Sequence, residues 1–332
     1  MEPAGLHETH VSPLQCRGLN PPRGQDAGST RGPADAGAVT TSGRQTTTDH
    51  HSGAPTRGLR PTIRRVDVDV SWSFSPIVVG SLVAYAAVYG LRWRKARAEG
   101  GARAAGWAWA ALWATGIATL FVALVSPLDR LGEQFATFHM IQHLLIADLA
   151  PIALTLALTK WILRPSTRRI HRLERAAGPF GHPVFGVVAY VGFMWLWHVP
   201  ALYDAALDHA GVHTLEHLSF AAAGLLYWWH LLSPIRSRMR LAGMGPILYM
   251  ASTKILVGFL GILLAFSPDL LYAYDWQGTK WGLTPLDDQH VAGLVMALEQ
   301  SIVMGIALAY LFFRMLAESE AEDQRAERYG AA

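Results

Sequence analysis

Seven stretches of mainly apolar residues, each about twenty long or more, recur along the chain at 70–91, 104–128, 134–159, 183–203, 213–235, 241–268 and 291–313. A bilayer core takes about 20 residues of helix to cross. Lipid offers no partner to a backbone amide, so helix is the default for such a stretch. The pattern predicts an all-α membrane protein, a seven-transmembrane helix bundle. Composition agrees: 16% of residues are charged and 51% are apolar, whereas soluble domains carry about 25% charged residues.

The loops predict an orientation. The first, third and fifth carry Arg92, Arg94, Lys95, Arg97 and Arg103, then Lys160, Arg164, Arg168, Arg169, Arg172 and Arg175, then Arg236, Arg238 and Arg240. The second has only Arg130, the fourth no Lys or Arg, and the sixth only Lys280. Basic residues stay on the cytoplasmic side, so the N-terminus is expected outside and the C-terminus in the cytoplasm. The pI near 9.1 therefore reflects a membrane pattern and implies no nucleic acid partner.

Three regions are expected: a polar tail over 1–69, the membrane domain over 70–316 and a charged cytoplasmic tail over 317–332. Residues 1–65 hold nine Gly and seven Pro and no aromatic residue. Such a segment buries too little apolar area to offset chain entropy and is expected to be disordered. Val66 is a candidate alternative start, because no second Met precedes Met140. The only cysteine, Cys16, lies in this tail, which removes disulfide, CxxC and thiolate-metal chemistry.

With that orientation six histidines gather at the outer face. His139 and His143 open the third stretch, His198 closes the fourth, His213 and His217 open the fifth, and His290 precedes the seventh. Two of these are i, i+4 pairs, which set two imidazoles on one helix face a turn apart. Neutral imidazole suits copper, zinc and iron. Glu216, Asp288, Gln289, Met140 and Met296 stand nearby as outer or softer partners. His213-x-x-Glu216-His217 also fits the H-x-x-E-H zinc hydrolase pattern, with Glu216 as general base. Haem with histidine axial ligands, a metal-free scaffold and a transporter are further readings. Asp148, Lys254 and Glu299 lie in the middle of their stretches and are costly in lipid. They are expected to face inward as a charge-neutralising cluster, or as a proton or ion relay.

Four segments resemble a known family. Phe138-His139-Met140-Ile141-Gln142-His143-Leu144-Leu145, Trp197-His198-Val199-Pro200-Ala201-Leu202-Tyr203, His213-x-x-Glu216-His217 and Asp288-Gln289-x-x-Ala292-Gly293-Leu294-x-Met296 are similar to motifs of the CtaG family, the polytopic assembly factors of caa3-type cytochrome c oxidase. The match runs in order over 74–314. The resemblance implies a multi-pass protein of a prokaryotic plasma membrane, with no catalytic residue and with oxidase subunits as partners. Copper is the metal it implies at the histidines, zinc and haem being less favoured. Where the family pattern continues W-x-P-G, this chain has Ala297-Leu298-Glu299-Gln300, a departure that points to a subgroup with its own client.

Overall fold

The computed structural model describes residues 68–235, 241, 243–274, 276 and 278–330, the side chain of Tyr329 excepted. The expectations for the tail up to residue 67, including the start at Val66, and for Arg236, Arg238 and Arg240 fall outside the described residues. The described chain is helical throughout, with one isolated bridge, Lys280 with Leu283.

Proline punctuates it. Helices α1 (Pro76–Ala104), α8 (Pro183–Trp197), α9 (Pro200–Asp208) and α12 (Pro285–Gly330) all begin on Pro, where the missing N–H would be unpaired anyway and φ is already helical. Helix α2 is Trp107–Leu124, and short α3 (Pro127–Gly132) is capped by the Ser126 hydroxyl on Leu128 N–H. The third apolar stretch becomes α4 (Ala136–Leu144), a wide π turn (Leu145–Leu149) and α5 (Ala150–Leu156). Pro151 explains the wide turn. It has no N–H for the Ala147 carbonyl four residues back, and its ring would clash with that carbonyl in a regular helix. The turn opens by one residue, and the Ala150 N–H reaches back to Leu145 O.

Helices α6 (Lys160–Leu163) and α7 (Thr167–Ala177) follow, then α8 and α9, which Val199 separates. Val199 precedes Pro200 and is held extended at ψ 123°, as the proline ring requires. Helix α10 is Ala210–Leu232 and α11 is Gly245–Ala265.

Five helical segments are long and apolar enough to cross a membrane: α1, α2, α4–α5, α11 and α12. There are six if α7 and α8, bent by 64°, count as one. Length and apolarity thus carry five to six spans, not the expected seven. Two of the stretches fall short for physical reasons. Helix α8 has only 15 residues before the Val199–Pro200 break. Helix α10 has 23 residues but carries His213, Glu216, His217 and His230.

The α4–α5 segment is the central one, with 61% of the residues in its apolar stretch buried, against 11% in α1 and in α2. Helix α10 crosses it closely at Gly224. A Cβ there would lie 2.1 Å from the Ala147 carbonyl oxygen, so only glycine lets α10 reach the wide turn. Gly293 of α12 is as tight against Ala265 of α11, at 2.3 Å from its nitrogen. The main core joins residues of α4–α5 and α8–α12, including Trp228, Tyr190, Tyr227 and Phe220. A second cluster, with Tyr89, Ala157 and Ile162, holds α1 and α2 to the far end of α5.

Candidate metal centre

The helix that runs into the wide turn, α4, and the helix that crosses that turn, α10, carry the histidine pairs. On α4, His139 and His143 meet edge-to-face at 4.2 Å between ring centroids, and on α10, His213 and His217 lie tilted at 4.1 Å. Across the helices His139 faces His213, and His143 faces His217, each at 5.5 Å. Glu216 enters from α10 between them. Its Oε1 lies 3.5 Å from His139 Nε2 and 3.5 Å from His143 Nε2. One ligand atom each from His139, His213 and Glu216 falls within 4.8 Å of the other two. His139, His143 and Glu216 are at most 2% exposed, and His213 and His217 are half-buried.

Each of the five keeps at least one buried polar atom without a hydrogen-bond partner among the described residues. Both ring nitrogens of His139 and His143, Nε2 of His213 and His217, and both oxygens of Glu216 are buried without a partner. A buried polar atom left unpaired costs about 1–3 kcal/mol, so eight gathered in one place call for a partner of another kind. Of these, His139, His213 and Glu216 come close enough to one another to hold a single metal ion. Imidazole and carboxylate donors suit a divalent first-row metal.

The surroundings hold the two helices in register. Asp288 of α12 accepts from the Ala136 and Thr137 N–H groups at 2.6 and 3.2 Å. It caps the first turn of α4 from another helix, where a carboxylate meets unpaired N–H groups and the positive end of the dipole. Gln142, buried on α4, donates to Ala123 O and to Asp129 Oδ1, both at 2.8 Å. Ser219 joins Trp197 Nε1 to the Glu216 carbonyl, each at 2.7 Å.

A roof of aromatic residues covers the cluster. Tyr203 packs on His139 at 4.8 Å and on Tyr272 at 3.7 Å, and its hydroxyl meets that of Tyr274 at 2.6 Å. Burial raises the pKa of Tyr272 and Tyr274, so both phenols stay neutral. Asp204 secures this loop by accepting from Ala273 N–H at 2.9 Å. At the loop's end Trp281 and Gly282 both have positive φ, the geometry of a tight two-residue turn. Trp281 stacks on Phe135 there, at 5.2 Å. No spacing in the sequence links Tyr272 and Tyr274 to α4; Tyr203 and the adjoining Asp204 are signalled only by the Trp-His-x-Pro segment that ends on Tyr203.

Other expected residues are placed differently. Glu216, read as an outer partner, sits in the middle of the imidazoles. His198 stands beside the cluster, with Nδ1 at the Met194 carbonyl and Nε2 3.3 Å from Met140 Sδ. His290 does not join it, because its Nε2 faces Ser267 O at 2.8 Å. Gln289 holds the loop, accepting from Leu271 N–H and donating to Asp269 O. Met296 packs at the α11–α12 crossing, with its Cβ against Gly261. The expected neutralising cluster of Asp148, Lys254 and Glu299 is not formed: no ion pair joins them among the described residues. Asp148 accepts instead from Tyr190 Oη at 2.6 Å and Trp228 Nε1 at 2.9 Å. Glu299 accepts from Gln300 at 2.6 Å, and Lys254 is half-exposed.

Residues 87–318 match the family model for the cytochrome c oxidase caa3 assembly factor, Caa3_CtaG. The chain belongs to that family. It is a multi-pass membrane protein, and the CtaG match takes in every residue of the cluster and of its roof. No curated protein and no solved structure matches the chain.

Proposed function

We propose that this CtaG-family chain is an assembly factor and not an enzyme, holding copper between α4 and α10 and aiding its insertion into a caa3-type oxidase. The observation that supports this reading is the convergence of His139, His143, His213, His217 and Glu216, each with a buried polar atom left unpaired. The loop charges put the N-terminus outside and this cluster at the outer face of a prokaryotic plasma membrane. Copper tops the affinity order of divalent first-row metals for nitrogen and oxygen donors. His198 and Met140 stand ready as a softer pair on the same wall. Without cysteine such a site survives an oxidising compartment and releases its cargo by ligand exchange.

Glu216 is where a ligand would be, 3.5 Å from two imidazole nitrogens. A carboxylate bound to the metal is not free to act as general base, which weighs against hydrolysis. The partners are then oxidase subunits presented at the outer face.

The test is copper, zinc and iron content per chain in detergent-purified protein after loading and desalting. Near-stoichiometric copper, lost in His139→Ala/His143→Ala, is expected. Cells carrying that variant should make oxidase subunits with lowered copper. Zinc, with a hydrolysis that Glu216→Gln abolishes, would move the assignment to an enzyme. No metal in folded protein would leave the assembly role to scaffolding.

A further inference from the structure

At the end of the bundle opposite the histidines, α1 continues as helix past its apolar stretch. It carries Arg92, Lys95 and Glu99 at i, i+3 and i+7, which is one face. Arg92 Nη2 donates to Ile162 O at 3.2 Å and pins α6 to α1. Arg164 and Arg168 come from the α6–α7 segment. With Trp161 these residues line a cavity of about 670 Å³. Among the described residues none of the four cations is in an ion pair, and Glu99 is the only carboxylate on the wall. Arg164 lies 5.9 Å over the ring of Trp161, which is itself 41% exposed.

The adjoining helix α7 buries none of its residues. Leu173 is 69% exposed and Phe180, just past the helix, is 64% exposed. Arg168, Arg172 and Arg175 share one face of α7, turned away from Leu173, and α7 turns from α8 by 64°. A helix with exposed apolar side chains, a separate basic face and a sharp bend into a span is built to lie in the headgroup layer. Basic pockets between spans on the cytoplasmic side suit anionic headgroups.

We propose that the groove between α1, α6 and α7 binds the headgroup phosphate of an anionic phospholipid, with its acyl chains over Leu173 and Phe180. The lipid accounts for both halves of the surface. Its phosphate supplies the anion that Arg92, Lys95, Arg164 and Arg168 lack, and its tails cover two apolar side chains that an acidic soluble partner would leave wet.

The test uses the full chain, delipidated in neutral detergent and offered phosphatidylglycerol or phosphatidylcholine, with bound lipid counted by native mass spectrometry. The unaltered chain should retain phosphatidylglycerol at least about tenfold better, given roughly fivefold per cation near the surface. Lys95→Gln/Arg164→Gln/Arg168→Gln should remove most of that preference. Arg325→Gln/Arg328→Gln, in the tail of α12, should leave it unchanged. Should the triple variant lose its helical circular dichroism, Arg168→Gln alone should still lower the ratio roughly fivefold. No preference in the unaltered chain, or one that survives the triple variant, overturns the proposal. Weakened co-purification of oxidase subunits with lipid preference intact overturns it too, and makes the groove a protein interface.

Discussion

Two buried carboxylates lie on the same pair of helices, and their surroundings are opposite. Asp148, in the wide turn that follows α4, has both oxygens paired, one to Tyr190 and one to Trp228 of α10. Glu216, on the same α10, has neither oxygen hydrogen-bonded and faces two imidazoles that are equally unpartnered. Both are fully buried. A satisfied buried carboxylate is a structural joint. An unsatisfied one among lone-pair donors is, on the function proposed above, the place for the metal. Asp148 thus ties α10 to the α4–α5 segment, so that Glu216 can be left open.

Substitutions separate the two sharply. The largest effect is expected from His139→Ala/His143→Ala. Metal affinity should fall by far more than the roughly 10–100-fold that loss of an outer partner costs. Unfolding of the metal-free protein should move little, as read by competitive titration with a chelator and by thermal unfolding in detergent. Asp148→Ala should do the reverse. It orphans the Tyr190 hydroxyl and the Trp228 N–H, at about 1–3 kcal/mol each, and should lower the unfolding temperature with or without metal. If Asp148→Ala were neutral, or if the histidine variant failed to fold, the division between joint and open site would be wrong.

Gly224→Ala probes the crossing that relates the two. Its new methyl would meet the Ala147 carbonyl at 2.1 Å, and overpacking of that kind costs about 1–3 kcal/mol. Forced apart at Gly224, α10 would also draw His217 from His143. Stability and metal affinity should therefore fall together, unlike in either variant above.

The histidine pairs were legible because i, i+4 spacing fixes a shared face without knowledge of the fold. The central place of Glu216 was not. A motif on one helix says that residues i+3 and i+4 lie near each other, but only the approach of α4 decides which meets the partner. His290 failed for a related reason. Sharing an end of the bundle fixes height along the membrane normal but not direction around the helix, and His290 points to Ser267. The same gap applies to Asp148, Lys254 and Glu299, which share a depth but form no ion pair with one another among the described residues. The wide turn at Leu145–Leu149 was written in Pro151, four residues after the carbonyl it displaces. Seven apolar stretches were legible in the sequence, yet α10 gives up apolar character to carry the site and α8 stops at Val199. Length and apolarity alone therefore count fewer spans.

The smallest expected effect lies with Glu216 itself, and it sharpens the comparison most. Glu216→Leu removes two buried oxygens that have no partner and fills their volume with apolar atoms. Replacing an unsatisfied polar group by an apolar one of similar shape is close to neutral or stabilising. The metal-free variant should therefore unfold at the same temperature as the unaltered chain or higher. Asp148→Leu, the same change of side chain at the paired carboxylate, should unfold lower. Metal binding by Glu216→Leu should fall, so the gap in unfolding temperature between metal-loaded and metal-free protein should narrow, since a ligand stabilises only the state it binds. Equal destabilisation by the two leucine substitutions in metal-free protein would mean that Glu216 is a joint like Asp148. The ligand set would then have to be built from the imidazoles alone.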